Sequence, residues 1–310
     1  MKSNYLSGTK KITLLLAAFI GLVAVVLSCR KENEPIEGES LTYGKATILV
    51  DNTIQPIVED VLAVFHSVYN NAHIHQVNLP ENELMRALRD TSQIAVMPRR
   101  FTAEEEAHFR NRKIEPKVTE FATDAIALIT SRTATDTVLE LEELYRAMRG
   151  NTSSKVTKLV FDNANSSTVK FLMQQAGVKT LPSKNIYALK SNEEVIKFVR
   201  ANKDAIGIVG VNWMLQPPNE LVEDVENVRV LALDNVKNDK AGKKYYKPSQ
   251  GNIARGLYPL TRKLYVLNYQ GKKGLGMGFA TYISAPEGQR IILKSGLVPI
   301  KIPPREVEVQ

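Results

Sequence analysis

Short apolar runs alternate with amphipathic stretches along most of this chain. Ala46 to Val50 (ATILV) is apolar and β-branched, fit for a buried parallel strand, and Asp51-Asn52-Thr53 leads straight into a helical pattern. Ile54, Ile57, Val58, Val61, Leu62 and Phe65 recur there at helical spacing, with Asn52 or Thr53 as the natural N-cap and Pro56 tolerated in the first turn. Glu83 to Leu88 predicts a short helix and Gln93 to Met97 (QIAVM) a strand. Thr102-Ala103-Glu104-Glu105 has the spacing of a capping box and opens a charged helix. Ala125 to Thr130 (AIALIT) reads as an interior strand, and Leu139 to Met148 as a helix stopped by Gly150. Val156 to Phe161 (VTKLVF) restarts the alternation, and Ser167 or Thr168 caps a helix carrying Phe171 and Leu172. Ser191-Asn192-Glu193-Glu194 is a second capping box, leading through Ile196 and Val199 to a strand at Ala205 to Val211 (AIGIVGV). The βαβα order predicts an α/β fold of parallel sheets flanked by helices.

One apolar run breaks the alternation. Ile12 to Leu27 follows a basic stretch with Lys2, Lys10 and Lys11, and falls short of the roughly 20 apolar residues of a spanning helix, the anatomy of an export signal. It ends in Val26-Leu27-Ser28-Cys29, whose cysteine is the chain's only one. These four residues resemble the lipobox of bacterial lipoproteins, which implies that Cys29 is diacylated and becomes the first residue of the mature chain. The other reading is an uncleaved N-terminal anchor with an incidental cysteine. Residues 1–28 are thus expected to be a signal peptide. Residues 29–41, which include the polar, aromatic-free RKENEPIEGES, are expected to be a flexible tether. The expected address is the cell envelope, lipid-anchored to a bacterial membrane. Arg30, standing where an aspartate retains many enterobacterial lipoproteins at the inner membrane, leans toward the outer one. An exported chain with one cysteine has no internal disulfide and must rely on an ordinary core.

Composition narrows the partners. Of 41 basic residues three fall in the leader, leaving 38 against 33 acidic residues and a net charge of +5. The lysines and arginines are scattered and no zinc-finger or RNA-binding pattern is present, which argues against nucleic acid. A modest positive surplus suits a small anionic ligand or an acidic lipid surface. About 270 residues follow the tether, enough for two domains of ordinary size.

Several segments carry a resemblance to phosphate-type substrate-binding proteins of ABC transporters, which have the two-domain periplasmic-binding-protein (type II) fold. Near the start, Leu49-Val50-Asp51-Asn52-Thr53-Ile54-Gln55-Pro56 is similar to the family's strand, Ser/Thr-rich turn and helix with an early proline. Met97-Pro98-Arg99-Arg100-Phe101-Thr102 is similar to its Ser-Arg-x-Leu-Thr segment, and Asp124 to Ile129 to its Asp-Ala-Ile-Ala-Leu-Ile. Asn165-Ser166-Ser167-Thr168 looks like the second-domain ligand turn, usually Gly-Ser-Gly-Thr. Ala205-Ile206-Gly207, Tyr258 to Arg262, Gly288-Gln289 and Gly296 to Pro299 match later motifs in the right order. The resemblance implies domain I from residues 42–121 and 261–310, and domain II from residues 122–260. Asp124 to Thr130 and Arg262 to Leu267 would be the hinge crossings.

The turns supply the chemistry. A strand that ends in small polar residues and feeds a helix aims free N–H groups and a positive helix end at whatever lies in front of it. Two such turns facing across a cleft can hold an oxyanion with few lysines. The candidate ligand-binding residues are Asn52, Thr53, Arg99, Asp124, Asn165, Ser166, Ser167 and Thr168, with Arg99 as a bidentate donor. The chain departs from the family at Val50 and Asp51, at Asn165 and Ser167, and at Asp162, which stands where many phosphate binders carry an arginine. Lys170, one turn into the helix, could offset that carboxylate. A carboxylate suits a ligand that donates a proton, which protonated phosphate can do and sulfate cannot. Asp51, Asp124 and Asp162 are candidates for that role, as are plain cap or turn roles for each.

Other constellations are read structurally. His73 and His75 are expected at the surface, His66 and His108 packed or solvated, Trp213 in the core, and Gly271 to Gly278 as a flexible approach to the terminal helix. No nucleophile elbow, Walker loop or zincin motif is present, so no catalysis, resident metal or cofactor is expected. The expected function is capture of phosphate or a related oxyanion by a monomeric, membrane-tethered binding protein that serves an ABC transporter permease. The alternative is a sensory or adhesion lipoprotein that keeps the fold without the ligand. An exported hydrolase stands third.

Overall fold

β1 (Gly44–Asp51) shows why the apolar runs of this chain are continuous rather than alternating. Its Ile48 and Val50 join one buried core and its Leu49 another, so the strand is covered on both faces. The same split recurs in β3 (Ile94–Met97), with Ile94 and Val96 on one side and Ala95 and Met97 on the other. The computed structural model describes residues 38–90, 94–235, 244–271 and 273–302. Cys29, the leader, most of the tether and Gln93 lie outside the described residues, as do residues 303–310.

The remaining strands are β2 (Ala72–Leu79), β4 (Lys117–Ser131), β5 (Val138–Leu139), β6 (Lys158–Phe161), β7 (Ile186–Ala188), β8 (Ala205–Gly210), β9 (Val228–Val230), β10 (Ala232–Asp234), β11 (Tyr245–Tyr246), β12 (Thr261–Asn268) and β13 (Val298–Pro299). The main sheet runs β2-β1-β3-β12-β4-β8-β6-β7, with β9 and β13 also paired to β4, and β11-β10-β5 form a small separate sheet. Pairing is parallel at both flanks, where β1 meets β2 and β3, and β6 meets β7 and β8. It is antiparallel in the middle, where β12 meets β3 and β4, and β4 meets β8. The βαβα order predicted the flanks. The centre differs because β12 returns from late in the chain to lie between β3 and β4.

β4 links the two flanks. Its first part, from Lys117 to Ala125, pairs with β12, and the part from Ile126 to Thr130 pairs with β8. Tyr258, fully buried, ties the approach to β12 to this strand by donating its hydroxyl to the Ile126 carbonyl at 2.7 Å.

Helix starts are shifted from the predicted caps in two places. At the end of β1 the cap is Asp51, whose carboxylate accepts from the Thr53 N–H, and a 3-10 turn at Asn52–Ile54 precedes the helix Gln55–Val68. Further on, Ser166 rather than Ser167 or Thr168 caps the helix Ser167–Ala176, which ends at Gly177 with φ 69°. In both cases the residue one step earlier is still extended and so can fold its oxygen back onto the first turn. The Thr102 capping box forms in full ahead of the helix Ala103–Asn111. At Ser191 only half of one forms, because Glu194 reaches back to the Lys190 N–H.

The glycines near residue 275 are not a flexible approach. Gly276 and Gly278 lie inside the helix Leu275–Ser284, where a β-carbon would collide with Ile94 at the first and with the Leu41 carbonyl at the second. They let this helix close onto β3 and onto the segment where the chain enters the fold. Trp213 is in the core, as predicted, and His73 and His75 are exposed on β2. His66 accepts the Ile74 N–H at its Nε2, at 3.1 Å.

Candidate ligand-binding site

The ends of β1 and β6, the first turn of the helix Ser167–Ala176, and the paired strands β4 and β12 converge on one buried cluster of polar side chains. Arg262 is its hub. On β12 it occupies the same face as Leu264 and Val266, a buried position. Its ladder partner on β4 is Asp124, and the two form a fully buried ion pair at 2.6 Å. The same guanidinium lies 3.4 Å from the Thr53 hydroxyl, 3.3 Å from that of Ser167 and 3.4 Å from that of Thr168.

The two turns also meet each other. Thr53 Oγ1 and Ser167 Oγ are 3.1 Å apart, and one oxygen of Asp51 accepts from both hydroxyls, at 2.6 Å from Thr53 and 3.0 Å from Ser167. Trp213 holds the first turn from behind by donating its indole N–H to the Thr53 carbonyl at 3.2 Å. Gly210, at the end of β8, carries no side chain where a β-carbon would collide with that same carbonyl.

The electrostatics are unusual for a cluster built on helix starts. Burial pushes the Asp162 carboxyl up to about 7; the charge of Asp51 adds to this and the Ser166 hydroxyl opposes it. Burial likewise raises Asp51, against the pull of the Thr53 hydroxyl and Arg262. For Asp124, burial raises and the adjacent guanidinium lowers. Two carboxylates, Asp51 and Asp124, therefore share one guanidinium, with the third, Asp162, buried beside Asp51. Among the described residues Asp51 Oδ2, Asn52 Oδ1, Arg262 Nε and both amide atoms of Asn212 have no hydrogen-bond partner, and neither Asp124 Oδ1 nor either oxygen of Asp162 has a well-aligned one. Orphaned buried polar atoms of this number are costly unless something else satisfies them.

Around this cluster lies a rim of ion pairs. Glu81, itself buried, takes Lys170 at 2.9 Å and Arg99 at 2.7 Å. Asn82 donates to Asn165 at 3.0 Å. Among the described residues no group of three or more His, Cys, Asp or Glu is arranged to hold a metal ion.

A family model described as a PBP superfamily domain matches residues 35–287. The chain belongs to this superfamily. Its members form a class of substrate-binding proteins rather than enzymes. Solved structures share the fold. A protein assigned as a phosphate ABC transporter substrate-binding protein from Clostridium perfringens, with bound phosphate, superposes with a TM-score of 0.66 at 19% identity, covering 83% of this chain and 100% of its own. An ABC-type phosphate transport receptor from Vibrio cholerae superposes with a TM-score of 0.60 at 16% identity, covering 83% and 100%. No curated sequence matches the chain. The resemblance read from the sequence, and the type II periplasmic-binding-protein fold it implied, are both borne out.

Within this PBP fold the sequence-derived candidates separate into two groups. Thr53, Asp124, Ser167 and Thr168 come together around Arg262, with Ser166 beside them as the helix cap and Asn52 at the edge of the first turn. Asn165 and Arg99 are in the rim. All five Arg99 N–H groups are committed, to Glu81, Glu105 and the Arg100 carbonyl, so the bidentate donor role has no free fork in this arrangement.

Arg262 was missed as a site residue, although it had been placed on a hinge strand. A signal was present: in TRKLYVLN the positions of Arg262, Leu264 and Val266 alternate, which puts a charge where a core residue belongs. Asn212 and the clasp from Trp213 carried no comparable signal.

Proposed function

We propose that this chain is a solute-binding protein that captures phosphate or a related oxyanion between the turns carrying Thr53 and Ser167. One observation carries the reading. Two hydroxyl-bearing turns 114 positions apart converge, with Thr168, on a single buried guanidinium, amid buried polar atoms that lack partners among the described residues. Such a constellation offers an oxyanion charge-assisted hydrogen bonds and a positive helix end. Asp51, Asp124 and Asp162 would repel a fully ionised ligand, so the bound species should bring protons to them. Hydrogen phosphate does so and sulfate does not.

In this reading residues 42–121 and 261–310 form one lobe and residues 122–260 the other, with β4 and β12 crossing between them. The change of partner along β4 after Ala125 supports that division. Closure of the lobes around the ligand would present a surface to an ABC transporter permease. Cys29 would hold the protein to a membrane of the cell envelope, and the protein would act as a monomer without a cofactor. Among the described residues no helix is long and apolar enough to cross a membrane.

Isothermal titration of the full chain with phosphate and with sulfate tests the reading. Saturable one-to-one binding of phosphate, stronger than sulfate, is expected; no heat with any common oxyanion would sink it.

A second reading is favoured by one contact. Asp51 already takes hydrogen bonds that an oxyanion would need, and Thr53 and Ser167 touch directly. An internal carboxylate in place of the ligand would leave a sensory or adhesion lipoprotein of the same fold.

A further inference from the structure

A second anion-seeking feature lies outside the cluster around Arg262. The loop before β4, the first residue of β4, the end of β12 and the start of the helix Leu275–Ser284 enclose a pocket of about 350 Å³. Lys113, Lys117 and Lys273 line it with Glu115, Asn268 and Met277, so three cations face one carboxylate. The three lysines are exposed, and none is ion-paired among the described residues.

Two further observations point to an anion. Asn268 is 4% exposed; its Oδ1 accepts the Gln270 N–H at 3.0 Å, while its Nδ2 has no partner among the described residues. A buried donor without an acceptor, on the wall of a basic pocket, suits a ligand oxygen. The helix that begins beside it has Gly274 at its N-cap, with no side-chain cap and no acidic residue in the first turn. Its first turn therefore brings no negative side chain to the pocket.

Position says which anion. Met277 on the pocket wall is next to Gly278, against which the Leu41 carbonyl packs, so the pocket adjoins the point where the tether joins the fold. Twelve residues from Cys29 to Leu41 span at most about 40 Å even when extended. A chain anchored at Cys29 would keep Leu41 within that distance of lipid headgroups, and the pocket wall begins one residue from the glycine that Leu41 touches.

We propose that the pocket lined by Lys113, Lys117, Lys273 and Asn268 binds the phosphate of an anionic phospholipid headgroup, as a second membrane contact. The membrane source, though not the anion chemistry, rests on the anchoring role proposed for Cys29.

Full-length chain carrying Cys29→Ser, floated with vesicles of phosphatidylcholine alone or with phosphatidylglycerol, tests this without the acyl chains. Lys2, Lys10 and Lys11 are replaced by glutamine in every arm, so that the leader contributes apolar binding alone, which the phosphatidylcholine arm absorbs. Binding about tenfold stronger to the phosphatidylglycerol vesicles is expected, weakening at high salt. Replacing Lys113, Lys117 and Lys273 together by alanine should bring both arms level. Replacing Lys155, Lys184 and Lys203 instead should leave the difference intact. Asn268→Asp, checked for an unchanged thermal transition, should also reduce it; at any lower transition the lysine variants alone decide. A difference that survives in the pocket variant would overturn the proposal in favour of diffuse charge. No difference between vesicles would overturn it too, and inorganic phosphate binding lost only in the pocket variant would then identify a free anion as the occupant. Mass measurement of the native chain at Cys29 tests the anchor separately.

Discussion

Ser167 donates its hydroxyl to Asp51 at 3.0 Å across 116 positions of sequence. The same carboxylate oxygen also accepts the backbone N–H of Thr53 at 3.0 Å and its hydroxyl at 2.6 Å. Three donors on one oxygen is what an oxyanion would draw from these turns, so under the proposed function this pair is the point where ligand and protein would compete. Ser167→Ala removes one of those donors and a contact to Arg262. The expected outcome is a loss of about 1–2 kcal/mol in urea unfolding together with at least about tenfold weaker phosphate binding by calorimetry. Loss of stability without any change in binding would favour the reading in which the fold has lost its ligand.

Arg262 should be worth more to the fold than any other single charge of the cluster. Arg262→Ala leaves Asp124 buried without a counter-ion, and a cost of about 3–5 kcal/mol is expected from denaturant unfolding. Replacing the pair together, with Arg262→Met and Asp124→Leu, should recover most of that loss while phosphate binding stays absent. A cost below about 1 kcal/mol for the single variant would mean that Asp124 is held neutral.

Asp162 sets a pH dependence of known sign. Its folded carboxyl is pushed up to about 7, above its ordinary 3.8, so the folded state holds the proton more tightly than the unfolded one. Relative to an ordinary carboxylate, stability is complete below about 4, falls as pH rises toward 7, and is fully lost above it. Asp162→Asn should flatten that window and stabilise the protein at pH 8 by roughly 2–4 kcal/mol. Thermal unfolding of both proteins from pH 4 to 8 measures this, and parallel curves would refute the assignment.

Gly278→Ala places a β-carbon on the Leu41 carbonyl. Alanine is the better helix former by about 1 kcal/mol, but overlap with rigid backbone should outweigh that and cost about 1–3 kcal/mol. Faster proteolysis near Leu41 would accompany it. An unchanged or raised thermal transition would show that the entry segment moves aside at no cost.

Cys29→Ser should release the chain from the membrane fraction on extraction with carbonate. Persistent anchoring would leave the uncleaved N-terminal segment as the membrane attachment.

Most of the architecture was legible because it rests on local rules. ILV at 48–50, IAVM at 94–97 and AIGIVG at 205–210 are buried on two faces and therefore read as unbroken apolar runs, and Thr102 with Glu105 closes its capping box within four residues. The position of β12 was less accessible, since nothing local tells a returning strand to insert between β3 and β4. The candidate site divides the same way. Thr53, Ser167 and Thr168 were found because a polar turn that opens a helix is a local pattern. Arg99 was chosen by family likeness, and its engagement by Glu81, 18 positions back, and Glu105, 6 positions on, depends on how the first turns of two helices meet, which no single motif shows. The Arg262 pairing with Asp124 is a matter of strand register, which the sequence leaves open over 138 positions.

The indole clasp on the Thr53 carbonyl has a practical side. Trp213 is the only tryptophan in the chain, so intrinsic emission excited at the indole band comes from one ring, and that ring is hydrogen-bonded to the turn after β1. The protein thus carries its own fluorophore at the proposed ligand site, and a change of emission on adding solute would register events at Thr53 without any label.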